Sequence, residues 1–260
     1  MADSFKTRFH AMNAMIMVDG DALKKAAKII GQSNHLIALT GAGISKESNV
    51  PTFRGIDGLW KQYDAMQLAT PAAFKANPKL VWEWYSWRQR IISECSPNPA
   101  HQILAQWEKE GLLKSIITQN VDGLHRRAGS MSLHEVHGNL WKLKCTYCEY
   151  HGQLDTPALG VTTCPLCHNH LRPDVIWFGE NLNQEIMLEV YKELNEADVC
   201  VVIGTSALVQ PAASFPLLVR RHGGTIVEVN VEETPLTPIA TIHLNGRAGY
   251  LLPQLNALLH

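Results

Sequence analysis

Four short apolar runs of this chain each end directly in glycine or polar residues, and this pattern constrains the fold most. The runs are residues 35–40, 116–118, 199–203 and 225–229. They are followed by Gly41-Ala42-Gly43, Gln119-Asn120-Val121-Asp122-Gly123, Gly204-Thr205-Ser206 and Asn230. Segments with helical apolar spacing lie between the runs. Strands that alternate with helices predict a parallel, doubly wound α/β sheet, in which ligands bind at the carboxyl edge of the strands.

Length and composition are those of an ordinary folded protein. A chain of 260 residues can bury a sizeable core, as one large domain or as a large domain with a small insert. Hydrophobic residues make up 46% and charged residues 18%, which excludes a disordered chain. The formal net charge of -1 gives no global field that would recruit nucleic acid or an anionic membrane. No apolar run approaches the roughly 20 residues that a membrane span needs, and the first residues lack a signal-peptide cleavage pattern.

Four of the six cysteines form two tight pairs. Cys145-x-x-Cys148 and Cys164-x-x-Cys167 are separated by fifteen residues. Each pair can bind one metal ion, and the spacer closes a ribbon, so four thiolates form a tetrahedral Zn²⁺ site. Because all four positions are filled by cysteine, the predicted zinc is structural. A redox CxxC motif or four buried thiols are the competing interpretations, and two pairs at ribbon spacing disfavour both.

Three polar residues near two strand ends are candidates for one site. Asn120 and Asp122 follow the run 116–118, and His137 follows a second run, 133–136. A histidine at a strand end beside Gly138 favours use as a general base over a purely structural role. The chain has no G-x-S-x-G nucleophile motif. We therefore expect these three side chains to converge on a ligand.

The Gly41-Ala42-Gly43 turn fits close approach of a pyrophosphate to a helix N-terminus. A full dinucleotide fingerprint would also have glycine at position 46, where this chain has Lys46. Tight turns use the same residues, so the position directly after a buried strand is what favours a phosphate site.

A helix predicted over residues 79–95 places Tyr85 and Arg88 on an apolar stripe at i, i+3, i+4, i+7 spacing. Arg88 either extends its head to water along that face or is a buried guanidinium suited to a carboxylate, with Tyr85 as a second donor. The spacing alone favours neither interpretation.

Together these motifs resemble the sirtuins, the NAD-dependent protein-lysine deacylases. The matching segments are Gly41-Ala42-Gly43-Ile44-Ser45, Pro51-Thr52-Phe53-Arg54, Thr118-Gln119-Asn120-Val121-Asp122, His137-Gly138-Asn139, Gly204-Thr205-Ser206 and the four paired cysteines. The resemblance implies a Rossmann-like doubly wound parallel sheet with a smaller zinc-ribbon plus helical module. It divides the chain into a discontinuous NAD-binding large domain (20–53, 96–140 and 172–260), a cofactor loop and helical module (54–95) and a zinc ribbon (141–171).

The resemblance also implies roles for individual residues. It places the following residues around NAD: Gly41, Ala42, Gly43, Ser45, Thr52, Phe53, Arg54, Gln119, Asn120, Asp122, Gly204, Thr205, Ser206, Glu228 and Asn230. It implies that Val175, Phe178, Gly179 and Glu180 pair with a substrate peptide as an added strand. Nicotinamide would leave NAD as the acyl oxygen attacks the ribose, and His137 would then accept a proton from the ribose hydroxyls. Asn120 and Asp122 are the other implied catalytic residues. The products would be lysine, nicotinamide and O-acyl-ADP-ribose.

Within this family a Tyr-x-x-Arg pair marks members that remove negatively charged acyl groups. Tyr85-Ser86-Trp87-Arg88 matches it, and Ala69 matches the small residue that widens the acyl pocket. The resemblance therefore implies removal of succinyl and malonyl groups from lysine, with glutaryl and acetyl groups also accepted. The alternatives are an enzyme that is mainly a deacetylase and a protein ADP-ribosyltransferase that uses the same site.

A non-catalytic acyl-lysine reader or a zinc-ribbon DNA-binding module is disfavoured by the near-neutral charge and the intact polar cluster. The expected partners are acylated lysines of proteins or peptides, without nucleic acid or membrane, and the oligomeric state is left open with a monomer as one option. The short termini suggest a cytoplasmic microbial enzyme, with a mitochondrial enzyme as the alternative.

Overall fold

A computed structural model describes residues 19–51 and 65–260. Its helices are α1 (Gly20–Gly31), α2 (Ala42–Lys46), α3 (Ala65–Leu68), α4 (Pro71–Ala76), α5 (Pro78–Glu94), α6 (Pro99–Lys109), α7 (Leu124–Arg127), α8 (Gln184–Glu196), α9 (Phe215–Arg221) and α10 (Ala248–Leu259). Its strands are β1 (Leu36–Thr40), β2 (Leu113–Thr118), β3 (Leu133–Glu135), β4 (Gly138–Cys145), β5 (His151–Gln153), β6 (Leu171–Val175), β7 (Val199–Ile203), β8 (Thr225–Asn230) and β9 (Ile242–Asn245). Short 3₁₀ turns lie at Ala212–Ser214 and Thr237–Ile239.

The larger sheet is parallel and has the strand order β3-β2-β1-β7-β8-β9. The chain runs outward from β1 to β3 on one side and outward from β7 to β9 on the other. The order therefore reverses between β1 and β7, which is the switch point where open α/β sheets bind ligands. The pairings Thr40↔Thr118 and Thr40↔Ile203 bring the carboxyl ends of three strands level at this point. The predicted parallel, doubly wound sheet is confirmed.

Both faces of this sheet are buried, because alternate residues of each strand point to opposite sides. In β1, Leu36 and Ala38 pack in one core cluster with residues of α1, α6 and α10. Ile37 and Leu39 pack in the opposite cluster with residues of α8 and α9. This two-sided burial accounts for the continuous apolar runs in the sequence.

A smaller antiparallel sheet has the order β5-β4-β6 and carries the paired cysteines. Strand β6 ends at Val175, and β4 and β5 were not predicted as strands. These strands are short and irregular, and a register shift interrupts the β4–β6 pairing. Residues 172–175, which the sequence division assigned to the large domain, pair within this smaller sheet.

Helix α5 packs against the smaller sheet and joins it to one continuous apolar cluster. Val81, Trp82 and Ile92 of α5 share this cluster with Leu140 of β4 and Leu171 of β6. The helix begins at Pro78, one residue before the predicted start, because the side chain of Asn77 accepts a hydrogen bond from the Leu80 N–H and a proline follows Asn77. Among the described residues, no helix combines the length and apolarity needed to cross a membrane.

Candidate active site

The turns after β1 and β7 lie against each other at the switch point. The Gly43 N–H donates to the Gly204 carbonyl over 2.7 Å. A Cβ atom at Gly43 would lie 2.6 Å from Gly204 Cα, and one at Gly41 would lie 2.8 Å from the Gly204 oxygen. Gly204 itself has φ +59. These glycines are therefore required for the two turns to pack, and they leave bare backbone at the edge where a dinucleotide would bind.

Asn120 lies in a buried hydrogen-bond network that connects β1, β2 and α2. Its Nδ2 donates to the Gly41 carbonyl over 3.0 Å and to Ser45 Oγ over 3.1 Å. Its backbone N–H donates to Thr118 Oγ1 over 3.1 Å. The amide is thus held by the residues on both sides of the first glycine turn, and its orientation is set before any ligand binds.

Asp122 is also buried, and one of its carboxylate oxygens accepts the Leu124 N–H at the start of α7 over 2.8 Å. Burial raises the pKa of the Asp122 carboxyl, while the Leu124 hydrogen bond, Ser45 and the nearby Arg88 guanidinium lower it. The structure thus brings Asp122 within electrostatic range of Arg88, a connection that sequence spacing did not predict.

His137 is fixed in one tautomer by the end of β2. Its Nδ1 lies 3.1 Å from the Gln119 carbonyl oxygen. A carbonyl can only accept, so Nδ1 carries the proton and Nε2 keeps its lone pair. Burial lowers the pKa of His137, and the bond to Gln119 partly opposes that shift. The ring is therefore neutral near pH 7 and has the form that a general base needs.

Two buried histidines that sequence reasoning missed lie directly behind this network. His101 Nε2 is 3.4 Å from Ser45 Oγ, and His125 Nε2 is 2.8 Å from Thr40 Oγ1, which in turn donates to Thr118. Burial lowers the pKa of His101 to about 4 and that of His125 well below its ordinary value. Both rings are neutral near pH 7. Neither belongs to a motif with recognised spacing, so no sequence signal could have found them.

The remaining predicted cofactor residues are distributed along the same edge. Gln119 Nε2 donates to Thr205 Oγ1 over 3.0 Å, and Asn230 Nδ2 donates to the Thr205 carbonyl over 2.8 Å. Ser206 is exposed beside them. Glu228 differs, because its carboxylate lies at 0% exposure and is bound by Thr234, Thr237 and His243. Thr52, Phe53 and Arg54 lie outside the described residues.

Tyr85 and Arg88 are both buried on α5, with exposures of 2% and 8%. Burial lowers the pKa of the Arg88 guanidinium, and the nearby Tyr85 and Asp122 oppose that shift. Burial raises the pKa of Tyr85 to about 12, so its hydroxyl keeps its proton. Arg88 lines a small cavity together with Val50 and Pro51. The buried interpretation of Arg88 therefore holds, and its head does not extend to water.

The predicted peptide-binding segment follows β6, which is an edge strand of the smaller sheet. Val175 is buried, Phe178 is half exposed and Gly179 has φ +88. The Phe178 N–H donates to the carbonyl of Ala69 over 3.0 Å. The Glu180 carboxylate forms an ion pair with Arg172, so its side chain stabilises this segment itself.

The four paired cysteines come together as predicted. Their Sγ atoms all lie within 4.8 Å of one another, and none forms a disulfide. The N–H groups of Tyr147 and Leu166 point at Cys145 Sγ and Cys164 Sγ over 3.4 Å each. Four thiols with N–H donors directed at the sulfurs fit a closed tetrahedral Zn²⁺ site. Cys95 and Cys200 are buried elsewhere.

Comparison with known proteins identifies the family. A family model described as SIR2, the Sir2 family, matches residues 41–211. The NAD-dependent protein deacylase of Pyrococcus furiosus is 50% identical over 240 residues, which cover 90% of this chain and 96% of the relative. The crystal structure of a Sir2 homologue in complex with NAD has a TM-score of 0.86 at 46% identity, covering 91% of this chain and 95% of the other. A Sir2 structure with a deacetylated p53 peptide and 3′-O-acetyl ADP-ribose has a TM-score of 0.83 at 33% identity, covering 90% and 97%. These matches cover most of the chain and include the glycine turns, the Asn120 network and the cysteine cluster. The chain therefore belongs to the Sir2, or sirtuin, family.

Proposed function

We propose that this chain is an NAD-dependent protein-lysine deacylase that prefers succinyl and malonyl groups, accepts glutaryl groups and also removes acetyl groups. The deacylase activity follows from the family, whose relatives carry that name. The acyl preference depends on one observation: Tyr85 and Arg88 are buried together on α5, with Arg88 lining a cavity.

A buried cation favours a negatively charged ligand. Burial weakens the hydration of a guanidinium, and a ligand carboxylate in the same pocket would form charge-assisted hydrogen bonds, which are stronger than neutral ones. The charged head of a succinyl or malonyl group supplies that carboxylate, whereas an acetyl group does not. Tyr85 adds a neutral hydroxyl, and hydrogen bonds to a charged group are stronger than those between neutral groups.

Ala69 supports the same assignment. It is buried, and its carbonyl accepts the Phe178 N–H from the predicted peptide-binding segment. A small side chain at this position leaves room for an acyl group longer than acetyl. The bound peptide would pair with the open edge after β6 as an added strand.

The residues of the switch point fit the reaction. NAD, when bound, supplies a ribose carbon that becomes electrophilic as nicotinamide leaves. The bare glycine turns and Thr205 would hold its phosphates, and Asn120 and Asp122 would position the nicotinamide and ribose. The neutral Nε2 of His137 would accept a proton from a ribose hydroxyl. Water is needed only to release the products, so no protein nucleophile is required.

Replacing Arg88 by methionine tests the acyl preference. We expect kcat/KM for a succinyl-lysine peptide to fall about ten- to a hundredfold relative to the acetyl-lysine peptide of the same sequence, since hydrogen bonds to charged groups contribute about 1.5–3 kcal/mol. Steady-state kinetics on both peptides measures this ratio, and mass spectrometry identifies the acyl-ADP-ribose product.

Arg90→Met is the matched control, because Arg90 lies on the same helix with its side chain exposed. It should leave the succinyl-to-acetyl ratio unchanged. Equal losses on both peptides in Arg88→Met would contradict recognition of charge by Arg88.

A further inference from the structure

Trp177 donates a hydrogen bond to the hydroxyl that is proposed to recognise the acyl group. Its indole Nε1–H lies 2.7 Å from Tyr85 Oη, and both side chains are 2% exposed. Trp177 lies just after β6, in the segment that is expected to bind the peptide. The contact therefore joins the peptide-binding segment to the acyl pocket on α5.

The indole is fixed by contacts other than Tyr85. The Arg172 guanidinium lies 3.4 Å from the centre of the indole ring, and the Phe74 ring lies 5.3 Å away. The backbone N–H of Trp177 donates to Glu180 Oε2 over 2.8 Å, and Glu180 is paired with Arg172 through two hydrogen bonds of 2.6 and 2.7 Å. The indole thus packs against Arg172 and Phe74, and turning its N–H away from Tyr85 would lose these ring contacts.

A donated hydrogen bond determines what the tyrosine hydroxyl can do. The hydroxyl has one proton and accepts through its lone pairs. With the indole N–H occupying a lone pair of Tyr85 Oη, the Tyr85 proton must point to another acceptor. Arg88 lies three residues after Tyr85 on α5, so the two side chains share one face of the helix.

We propose that Trp177 is a positioning residue for acyl selectivity, which orients the Tyr85 hydroxyl as a donor toward an acyl carboxylate beside Arg88. This inference rests on the proposed function and adds a residue that no Tyr-x-x-Arg pattern contains. Accepting a hydrogen bond also strengthens the hydroxyl as a donor, because linked hydrogen bonds polarise one another. Trp177 touches no substrate atom in this arrangement and acts through Tyr85.

Trp177→Phe tests the proposal, since it keeps an aromatic ring next to Arg172 and Phe74 and removes the indole N–H. We expect the succinyl-to-acetyl ratio of kcat/KM to fall about three- to tenfold, the range for one neutral hydrogen bond. The change should lie mainly in KM for the succinyl peptide. If phenylalanine leaves the chain misfolded, benzothienylalanine at position 177 retains the bicyclic shape with sulfur in place of N–H and is measured instead.

Trp107→Phe is the matched control. The Trp107 indole is also fully buried and donates over 2.7 Å, but to Asn256 of α10 in the core of the larger sheet. The Trp107→Phe variant loses an indole hydrogen bond of the same length, so its melting temperature should fall while its succinyl-to-acetyl ratio of kcat/KM stays unchanged. A similar change in ratio in both variants would show that Trp177 acts through general stability and would overturn the proposal.

A double-mutant cycle separates this inference from the function on which it rests. If Trp177 acts through the Tyr85 hydroxyl, Trp177→Phe added to Tyr85→Phe should change the ratio no further. Additive losses would overturn the positioning role. If Arg88→Met also leaves the ratio unchanged, the charged-acyl preference itself fails. If Arg88→Met lowers the ratio and Trp177→Phe does not, only the role of Trp177 fails.

Discussion

At the scale of the residue, one backbone contact determines which nitrogen of His137 can accept a proton. The Gln119 carbonyl fixes the proton on Nδ1, and burial keeps the ring neutral. The unprotonated Nε2 is therefore the ring nitrogen that can accept a proton. Burial also keeps His101 and His125 neutral. Their Nε2 atoms, however, lie against the hydroxyls of Ser45 and Thr40, behind the candidate site.

The pH profile of the reaction should report this tautomer and its lowered pKa. A base must be neutral to accept a proton, so kcat/KM should be constant around pH 7 and fall on the acid side. Because burial lowers the pKa of His137, the fall should be centred below 6.5, the ordinary value for histidine. His137→Asn should lose about 10²–10⁴-fold in rate and lose this acid limb. An acid limb centred above 6.5 in the native chain, or one that persists in the variant, would exclude His137 as the base.

Residue-level prediction from sequence succeeded where polar side chains directly follow an apolar strand. Asn120 lies where the pattern placed it, because parallel strands must end at one edge. The position of Trp177 and the pair of buried histidines could not be predicted. Their roles depend on contacts between segments far apart in the chain, such as Trp177 with Tyr85, and no local spacing records them.

At the scale of the element, Gly138 connects His137 to the smaller sheet. It has φ +81 and pairs with Val175 where β4 meets β6. A Cβ atom there would overlap the Asp174 carbonyl oxygen and crowd Val175 Cα. The residue directly after His137 must therefore be glycine for two independent reasons, one of conformation and one of space.

Gly138→Ala should destabilise the fold more than Gly111→Ala, which separates these two reasons. Gly111 has a nearly identical φ of +79, but no atom of the described residues lies within 4 Å of its added Cβ. We expect about 1–2 kcal/mol of unfolding free energy to be lost at Gly111 from conformation alone, and about 1–3 kcal/mol more at Gly138 from overpacking. Urea unfolding of both variants measures the difference. Equal losses would show that β4 and β6 can separate freely at this point.

Helices and strands could be predicted from the sequence where they pack against a large apolar core. The strands of the larger sheet and helix α5 have regular apolar spacing because each buries one face or both against a large core, so their types were predicted correctly. The smaller sheet has little such spacing. Strands β5 and β6 have three and five residues, and the cysteine cluster lies beside them. Metal ligands can replace the apolar pattern as the source of order there, which is why the cysteines predicted the module and periodicity did not.

At the scale of the whole molecule, the cysteine cluster is part of the core that supports helix α5. Cys164 is fully buried in the same apolar cluster as Trp82, Tyr85 and Leu171. Helix α5, which carries Tyr85 and Arg88, thus packs on a sheet whose end is closed by the four thiols. Loss of structure at the four cysteines should therefore disturb the position of α5.

Metal content tests this coupling. We expect one Zn²⁺ per chain by elemental analysis, and we expect Cys145→Ala to lose the metal together with cooperative unfolding, because binding to four thiolates contributes directly to folding. Cys95→Ala is the control. Cys95 is buried at the end of α5 but is not one of the four clustered cysteines, so this variant should keep its zinc and lose only a small part of its stability.

Removal of zinc by a strong chelator should abolish desuccinylation and deacetylation together, since it disturbs the packing that supports α5 and leaves the charge of Arg88 unchanged. A metal-free chain that stays folded and active on both peptides would refute a structural zinc.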